Sequence, residues 1–421
     1  MPLQMTTQSA PVLAPRPPLA AYRDDLARRG RGSFGPSDAT WLSVATILGH
    51  AVGVPTESRP SLLETLREVL RGDPILSQTL SPASAGPTPA EHDELDAVSP
   101  IVRAVVQRME DEGAWSLAYS TLSILVEADL RLSAVERGRV LAQMGRVAWQ
   151  AGAIETSRDQ YRRVEVLGRA ARSAELRVRA WTGYSILARL RGNYPEVRKW
   201  ATRAVDEADR AGLVALGSIA YHCLMVSAGV AGDFNAALVY GWRAFEGAAG
   251  DPAREAEMLI NVAQFLYETG HADVAVHGFA VALAREPVPR VALPGLGGLA
   301  LAASAVGDTA RVHGARAHAE RLIAAGAMPY EAAATLVELA AALAAVGDAA
   351  GARECRARAA EIATRHGYHE LSYRLEIQSA APPPARDRAP HPLDPGARAV
   401  ARAVSSLGLV GSGASTGTDG R

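Results

Sequence analysis

The sequence predicts an all-α chain: a right-handed αα-solenoid with a small N-terminal helical segment and disordered tails. Three observations predict it. Glycines recur at 113, 152, 192, 232, 270, 307 and 347, spaced by 39, 40, 40, 38, 37 and 40 residues. An apolar stretch at helical period runs into each glycine and a second one leaves it, as in GDFNAALVYGWRAFEGA from Gly232. Hydrophobic residues make up 48% of the 421 residues but aromatics only 5%, so the apolar material is Ala, Val and Leu. Those residues suit close helix-on-helix packing better than an aromatic-centred sandwich. A period near 40 with two helices per unit marks a stacked array, because neither helix buries its apolar face alone.

The elements follow in order. Residues 1–18 are Pro-rich and polar and predict a disordered tail. Residues 19–76 carry three helical patterns, AAYRDDLARRG, SDATWLSVATILGHAVG and SLLETLREVLRG, with Ser37 or Asp38 placed to cap the second and Ser61 the third. Residues 77–98 read as a linker, because their Pro, Ser and acidic content opposes a packed core. Residues 99–378 hold seven helix pairs. Residues 379–421 are a low-complexity tail in which only GARAVARAVSSLGLV has the pattern of a short amphipathic helix.

The pairs resemble tetratricopeptide repeats. In the second unit Leu141, Met144, Gly145 and Ala148 precede Gly152, and Ser157, Tyr161 and Val164 follow it. In the third, Trp181, Tyr184, Ser185 and Ala188 precede Gly192, and Val197, Ala201 and Ala204 follow. In the fifth, Leu259, Val262, Ala263 and Leu266 precede Gly270, and Ala275, Phe279 and Ala282 follow. The resemblance implies that small residues let paired helices approach, Ala263 and Ala275 among them, and that the bulky residue on the second helix fills the gap to the next unit. The units are longer than the family's usual repeat. Arg316 and Arg356 stand where a large apolar residue is usual.

Composition excludes several function classes. The 44 basic and 45 acidic residues balance, which disfavours direct binding of nucleic acid or a charged membrane surface. Lys199 is the sole lysine and lies in PEVRKW without a glycine-rich loop, so neither Schiff-base nor phosphate-loop chemistry has a candidate. The N-terminus has no basic start followed by an apolar core, and Cys223 and Cys355 form no CxxC. A cytoplasmic protein is expected. The 22 uncharged residues between Arg210 and Asp233 are long enough to span a bilayer, but their four glycines and their place in phase with the repeat favour a solenoid helix.

Enzyme motifs are absent, so no catalytic residue, metal or cofactor is expected. The glycine-rich PGLGGLALAASAVG follows no strand, and it reads as a small-residue packing face whose Pro294 fits a helix start. RHGYHE, with His366, His369 and Glu370, reads as a surface helix end. His222 and Cys223 are neighbours on a helix and point about 100° apart, too far to act as base and nucleophile. The tail's GSGAS has no nucleophile-elbow context. ILGHAVGVPTESRPSLLETL has the turn of a helix-turn-helix, but Pro60 and the scarcity of basic residues favour a helical cap.

The expected function is a protein–protein interaction scaffold that takes a peptide or partner helix in a groove. The alternative is a peptide- or ligand-responsive transcriptional regulator with an N-terminal effector segment. The resemblance places the groove on the first helices and implies as its lining Arg103, Arg139, Arg146, Trp149, Arg179, Thr182, Arg189, His222, Gln264 and Tyr267. In the seventh unit the matching positions are Ala334, Val337, Ala341 and Ala344, so the groove is expected to turn apolar. The family's Lys and Asn set for gripping a terminal carboxylate is not reproduced. Arginines offer bidentate pairing with carboxylates, so an acidic peptide is the expected partner unless neighbouring acids already hold them.

Overall fold

The computed structural model describes residues 13–29, 37–53, 61–71, 91–127, 132–326, 329–380 and 390–408, and every regular element among them is a helix. The chain is an all-α solenoid of helix pairs. It divides into two compact units at Gly212.

The first unit opens with α1 (Pro18–Arg29), α2 (Asp38–Gly53) and α3 (Leu62–Leu70). Three pairs follow: α4 (Glu91–Asp111) with α5 (Trp115–Glu127), α6 (Ala134–Gln150) with α7 (Ile154–Ala170), and α8 (Ala174–Leu190) with α9 (Tyr194–Arg210). In the second unit α10 (Val214–Val230) pairs with α11 (Phe234–Glu246), and α12 (Pro252–Glu268) with α13 (Ala272–Leu283). Then α14 (Pro289–Ala305) pairs with α15 (Thr309–Ala324), and α16 (Pro329–Ala345) with α17 (Ala349–His366). The unit closes with α18 (His369–Ala380) and α19 (Pro395–Ser406).

All seven repeat glycines lie in the turn within a pair, with φ from 70° to 88°. The reason is local. At Gly192 the chain closes a Schellman motif: Gly192 donates to the Arg189 carbonyl and Asn193 to the Ala188 carbonyl, both at 2.9 Å. The next residue is already the N-cap of the following helix, and the Asn193 side chain accepts from the Glu196 amide. Asp233, Asp308 and Asp348 cap α11, α15 and α17 in the same way. A second set of left-handed residues, which the glycine spacing alone does not show, joins one pair to the next: Arg172, Gly212, Gly250, Glu286, Gly326 and Gly367.

Packing follows the residues that carry the family resemblance. Tyr161 of α7 is buried against Gly145 of α6 and Gly183 of α8. In the second unit Phe279 of α13 occupies the equivalent place beside Gly298 of α14, and Ala263 and Ala275 are fully buried. First helices of successive pairs pack on one another, α4 on α6 and α6 on α8, then α12 on α14 and α14 on α16, while second helices of successive pairs stand apart.

Several expectations change. Helix α4 starts at Glu91, inside the stretch read as linker, and buries Val98 and Ser99. Residues 72–90 lie outside the described residues. The N-terminal tail is not wholly free: Leu13 is buried, and the Arg16 amide donates to Ser120 Oγ. Asp25 of α1, fully buried, accepts from the Ser116 and Leu117 amides at 3.0 and 2.9 Å and so caps α5 from another helix. Helices α1–α3 therefore share one core with α4 and α5. Ser61 caps α3 as expected, whereas residues 54–60, which hold most of the helix-turn-helix turn and Pro60, lie outside the described residues.

In the second unit α14 starts at Pro289, and Pro294 lies inside it rather than at its start. Its glycines are a packing face: a Cβ on Gly295 would meet Ile260 and one on Gly298 would meet Phe279. Arg316, at the position expected to be apolar, is instead held by Glu320 and Glu354 at 2.9 and 2.5 Å. The C-terminal region is corrected too. Residues 390–408 are ordered against the unit, with Ala397, Val400 and Val404 of α19 buried and α19 seated between α11 and α13. The GSGAS segment lies outside the described residues. Residues 214–230 form a solenoid helix, and among the described residues no helix is long and apolar enough to cross a membrane.

Candidate peptide-binding face

The first helices of the first unit, α4, α6 and α8, carry seven of the expected groove residues. Four of these are arginines bound to carboxylates of the same face. Glu136 accepts from Arg103 Nε and from Arg139 at 2.9 Å each, and Ser99 also donates to it. Glu175 accepts a bidentate pair from Arg139 at 2.8 and 2.6 Å, and from Arg179 Nε at 2.9 Å. The result is an alternating ladder, Arg103–Glu136–Arg139–Glu175–Arg179, running across three helices. Two turns further along, Arg146 grips Glu110 at 2.7 and 2.8 Å, and Gln143 completes that pair.

Electrostatics distinguish the members. Hydrogen bonds from Arg139 above all hold Glu175 down to about 2, against the cost of its burial. Glu110 holds the Arg146 guanidinium above its ordinary range although burial opposes the charge. Arg179 goes the other way: burial lowers it, and the nearby Arg103 and Arg139 charges add to that effect against Glu175. The ladder explains this, because three guanidiniums share two carboxylates and one positive charge is left over.

The other three residues carry polar atoms with no hydrogen-bond partner among the described residues. Trp149 Nε1, Thr182 Oγ1 and Arg189 Nε are all buried in this state, and so is Gln150 Oε1 next to Trp149. Thr182 is only 6% exposed. A buried donor or acceptor left unmatched costs about 1–3 kcal/mol, so a cluster of four on two adjoining helices is unusual. Gln150 and the carboxylates Glu110, Glu136 and Glu175 were not singled out from the sequence. Glu136 is the third residue of α6 and Glu175 the second of α8, so superposing the repeats does not align them.

The remaining expected residues belong to the second unit and are described there by themselves. His222 is half-buried on α10, Gln264 of α12 donates to Glu268 at 3.0 Å, and burial raises the Tyr267 hydroxyl. In the seventh pair Ala334, Ala341 and Ala344 are half-buried. Val337 is fully buried, and the neighbouring Glu338 lies against Gly297 with Arg374 3.7 Å away. Burial pushes Glu338 up to about 7. His366 stacks on Tyr368, and no group of three or more metal-ligating side chains occurs among the described residues.

No protein-family model matches the chain, and no curated protein does. Among solved structures, a signal transduction ATPase of the STAND type with a tetratricopeptide repeat sensor, from Pyrococcus horikoshii, is similar at 12% identity, with a TM-score of 0.48. The match covers 83% of this chain and 57% of that one, so this chain spans little more than half of its length. A circular tandem repeat protein is similar at 17% identity over 92% of this chain and 89% of that one, with a TM-score of 0.20.

Proposed function

We propose that the chain is a tetratricopeptide-type interaction scaffold whose α4–α6–α8 face holds an extended, acidic segment of a partner protein. The observation that carries this is the row of buried, unmatched polar atoms on α6 and α8. Thr182 and Arg189 are seven residues apart on one helix, about 10 Å, which is close to three residues of extended chain. A peptide laid along them offers alternating carbonyls and amides at that spacing, and its carbonyls suit the donors Trp149 Nε1 and Arg189 Nε. The surplus positive charge of the ladder favours a carboxylate beside Arg179. Trp149 supplies a rigid apolar anchor.

The test is binding of a fluorescein-labelled glutamate-rich peptide to the full chain, followed by anisotropy at several salt concentrations. Arg179→Gln removes the surplus charge and leaves Glu175 with Arg139. It is expected to weaken binding about fivefold and to flatten the salt dependence. Thr182→Val should weaken it further, by removing a group the peptide backbone satisfies. Equal affinity in both variants would place the partner elsewhere. Charge reversal at Arg146 is no substitute, because it would set a like charge against buried Glu110.

A further inference from the structure

The gaps between second helices of successive pairs are built differently along the chain. Between α11 and α13 the gap is filled by the chain's own α19. His391 donates to the Thr269 carbonyl at 2.8 Å, the Asp394 amide donates to Asn235, and His277 meets the Leu407 carbonyl at 2.8 Å. Between α15 and α17 the gap is spanned by ion pairs, Arg316 to Glu354 and Arg358 to Glu320. Between α7 and α9 no helix is seated among the described residues, and Arg191 reaches Glu155 across the gap at 2.6 Å. A cleft of about 340 Å³ lies there, lined by Arg158, Arg162, Arg191 and Glu196 together with Tyr184, Leu187 and Trp200.

The repeat register aligns the open cleft with the filled one. Counting from the turn glycines, Arg158 and Arg162 stand where α11 has Leu238 and Trp242, and Arg191 stands where Thr269 receives His391. Lys199 takes the place of His277, the residue that meets the Leu407 carbonyl just past the end of the docked α19. Trp200 takes the place of Gly278, whose missing side chain makes room for Val404. The open cleft is thus a helix-accepting groove recut for a different helix. Its lining carries three arginines to one acid, and the Trp200 ring takes up space that Gly278 leaves open in the filled groove.

We propose that this groove docks an amphipathic, acidic helix of a partner protein, with small residues such as Ala toward Trp200 and its C-terminus at Lys199. The surface is separate from the α4–α6–α8 face, and the inference does not depend on the reading given for that face. The cations of this groove are available for exchange, Lys199 included, whose partner Glu196 lies at 2.9 Å and is partly exposed. Arg158 and Arg191 share Glu155, which is 73% exposed, and Arg162 pairs with Asp159, which is 65% exposed, so both acids return to water at little cost when a partner's carboxylates replace them. A cation at the end of the docked helix complements its dipole. A second copy of α19 is the wrong occupant, because Arg398 and Arg402 would bring two more cations to a groove that already carries three arginines.

Lys199 makes the test specific, because it is the sole lysine of the chain. The probe is a fluorescein-labelled helix of Ala and Glu about fifteen residues long, near the length at which an isolated helix forms in water. With the full chain, carbodiimide should join a glutamate of the probe to Lys199 Nζ, read by peptide mass spectrometry. Arg158→Glu with Arg162→Glu should weaken binding about tenfold with the melting temperature unchanged. Arg179→Gln should leave affinity for this probe unchanged, which separates the groove from the α4–α6–α8 face. A peptide of residues 394–407 should bind at least tenfold more weakly than the acidic probe. Absence of a Lys199 adduct, equal affinity in the double variant, or equal binding of the 394–407 peptide would each overturn the proposal.

Discussion

Tyr161 and Gly183 touch across the boundary between consecutive pairs: a Cβ on Gly183 would lie 2.5 Å from the Tyr161 ring. On its other side the ring meets Gly145, where a Cβ would lie at 3.0 Å. The ring fills the space that the two glycines leave between three helices. Gly183→Ala is therefore expected to destabilise the first unit by about 1–3 kcal/mol through overpacking, read by urea unfolding. Ala263→Leu, beside the equivalent Phe279 contact, should do the same in the second unit. A parent-like midpoint in both would contradict this packing.

Arginines of the ladder should differ in what they contribute to stability. Removing Arg146 strands Glu110, whose side chain is 1% exposed, so Arg146→Ala should lower stability by about 2 kcal/mol or more. Arg179→Ala leaves Glu175 bound to Arg139, and should cost less than about 1 kcal/mol. Paired unfolding curves decide between this order and its reverse.

Acidity should act on the two units in opposite directions. Glu175 is held down to about 2 from 4.5, so its contribution is complete above 4.5 and is lost as pH falls from there through 2. Glu338 is pushed up to about 7 from 4.5, so its contribution is complete below 4.5 and is lost as pH rises through 7. In Glu338→Gln the decline in melting temperature of the second unit between those pH values should flatten. An unchanged slope would count against the burial of that carboxyl.

Removal of the C-terminal segment should weaken the second unit. Truncation after residue 389 takes Ala397, Val400 and Val404 from their buried places and should cost about 2–4 kcal/mol, with faster hydrogen exchange confined to α11 and α13. Val404→Asp should reproduce most of the loss. Unchanged exchange in those two helices would mean that α19 does not hold them.

Periodicity made the array legible because its cause is local. A left-handed glycine followed by an N-cap such as Asp233 or Asn193 leaves a mark at each turn, and Gly145, Tyr161 and Phe279 mark the packing between turns. Arg172 and Glu286 turn the chain between pairs without a glycine, so the second set of turns left only a partial mark. The repeat register placed Thr182 and Trp149 on first helices, where the structure has them. The charge balance of that face was not legible, because Glu110 and Glu136 act on arginines more than thirty residues away in sequence. The docking of α19 was equally hidden. Its amphipathic pattern shows that one face wants burial, but nothing in that pattern names α11 and α13 as the cover.

A helix seated between two elements that otherwise stand apart acts as a shim. At α11 and α13 the pitch of the stack is set by the thickness of α19, through Val400 and Val404, as well as by the turns of the backbone. Where no shim is present, as between α7 and α9, the spacing rests on the first helices and on the contact of α7 with α8 through Tyr161 and Gly183. Occupying such a gap stiffens one pair against the next, so an added or removed helix changes the compliance of the array without altering any turn.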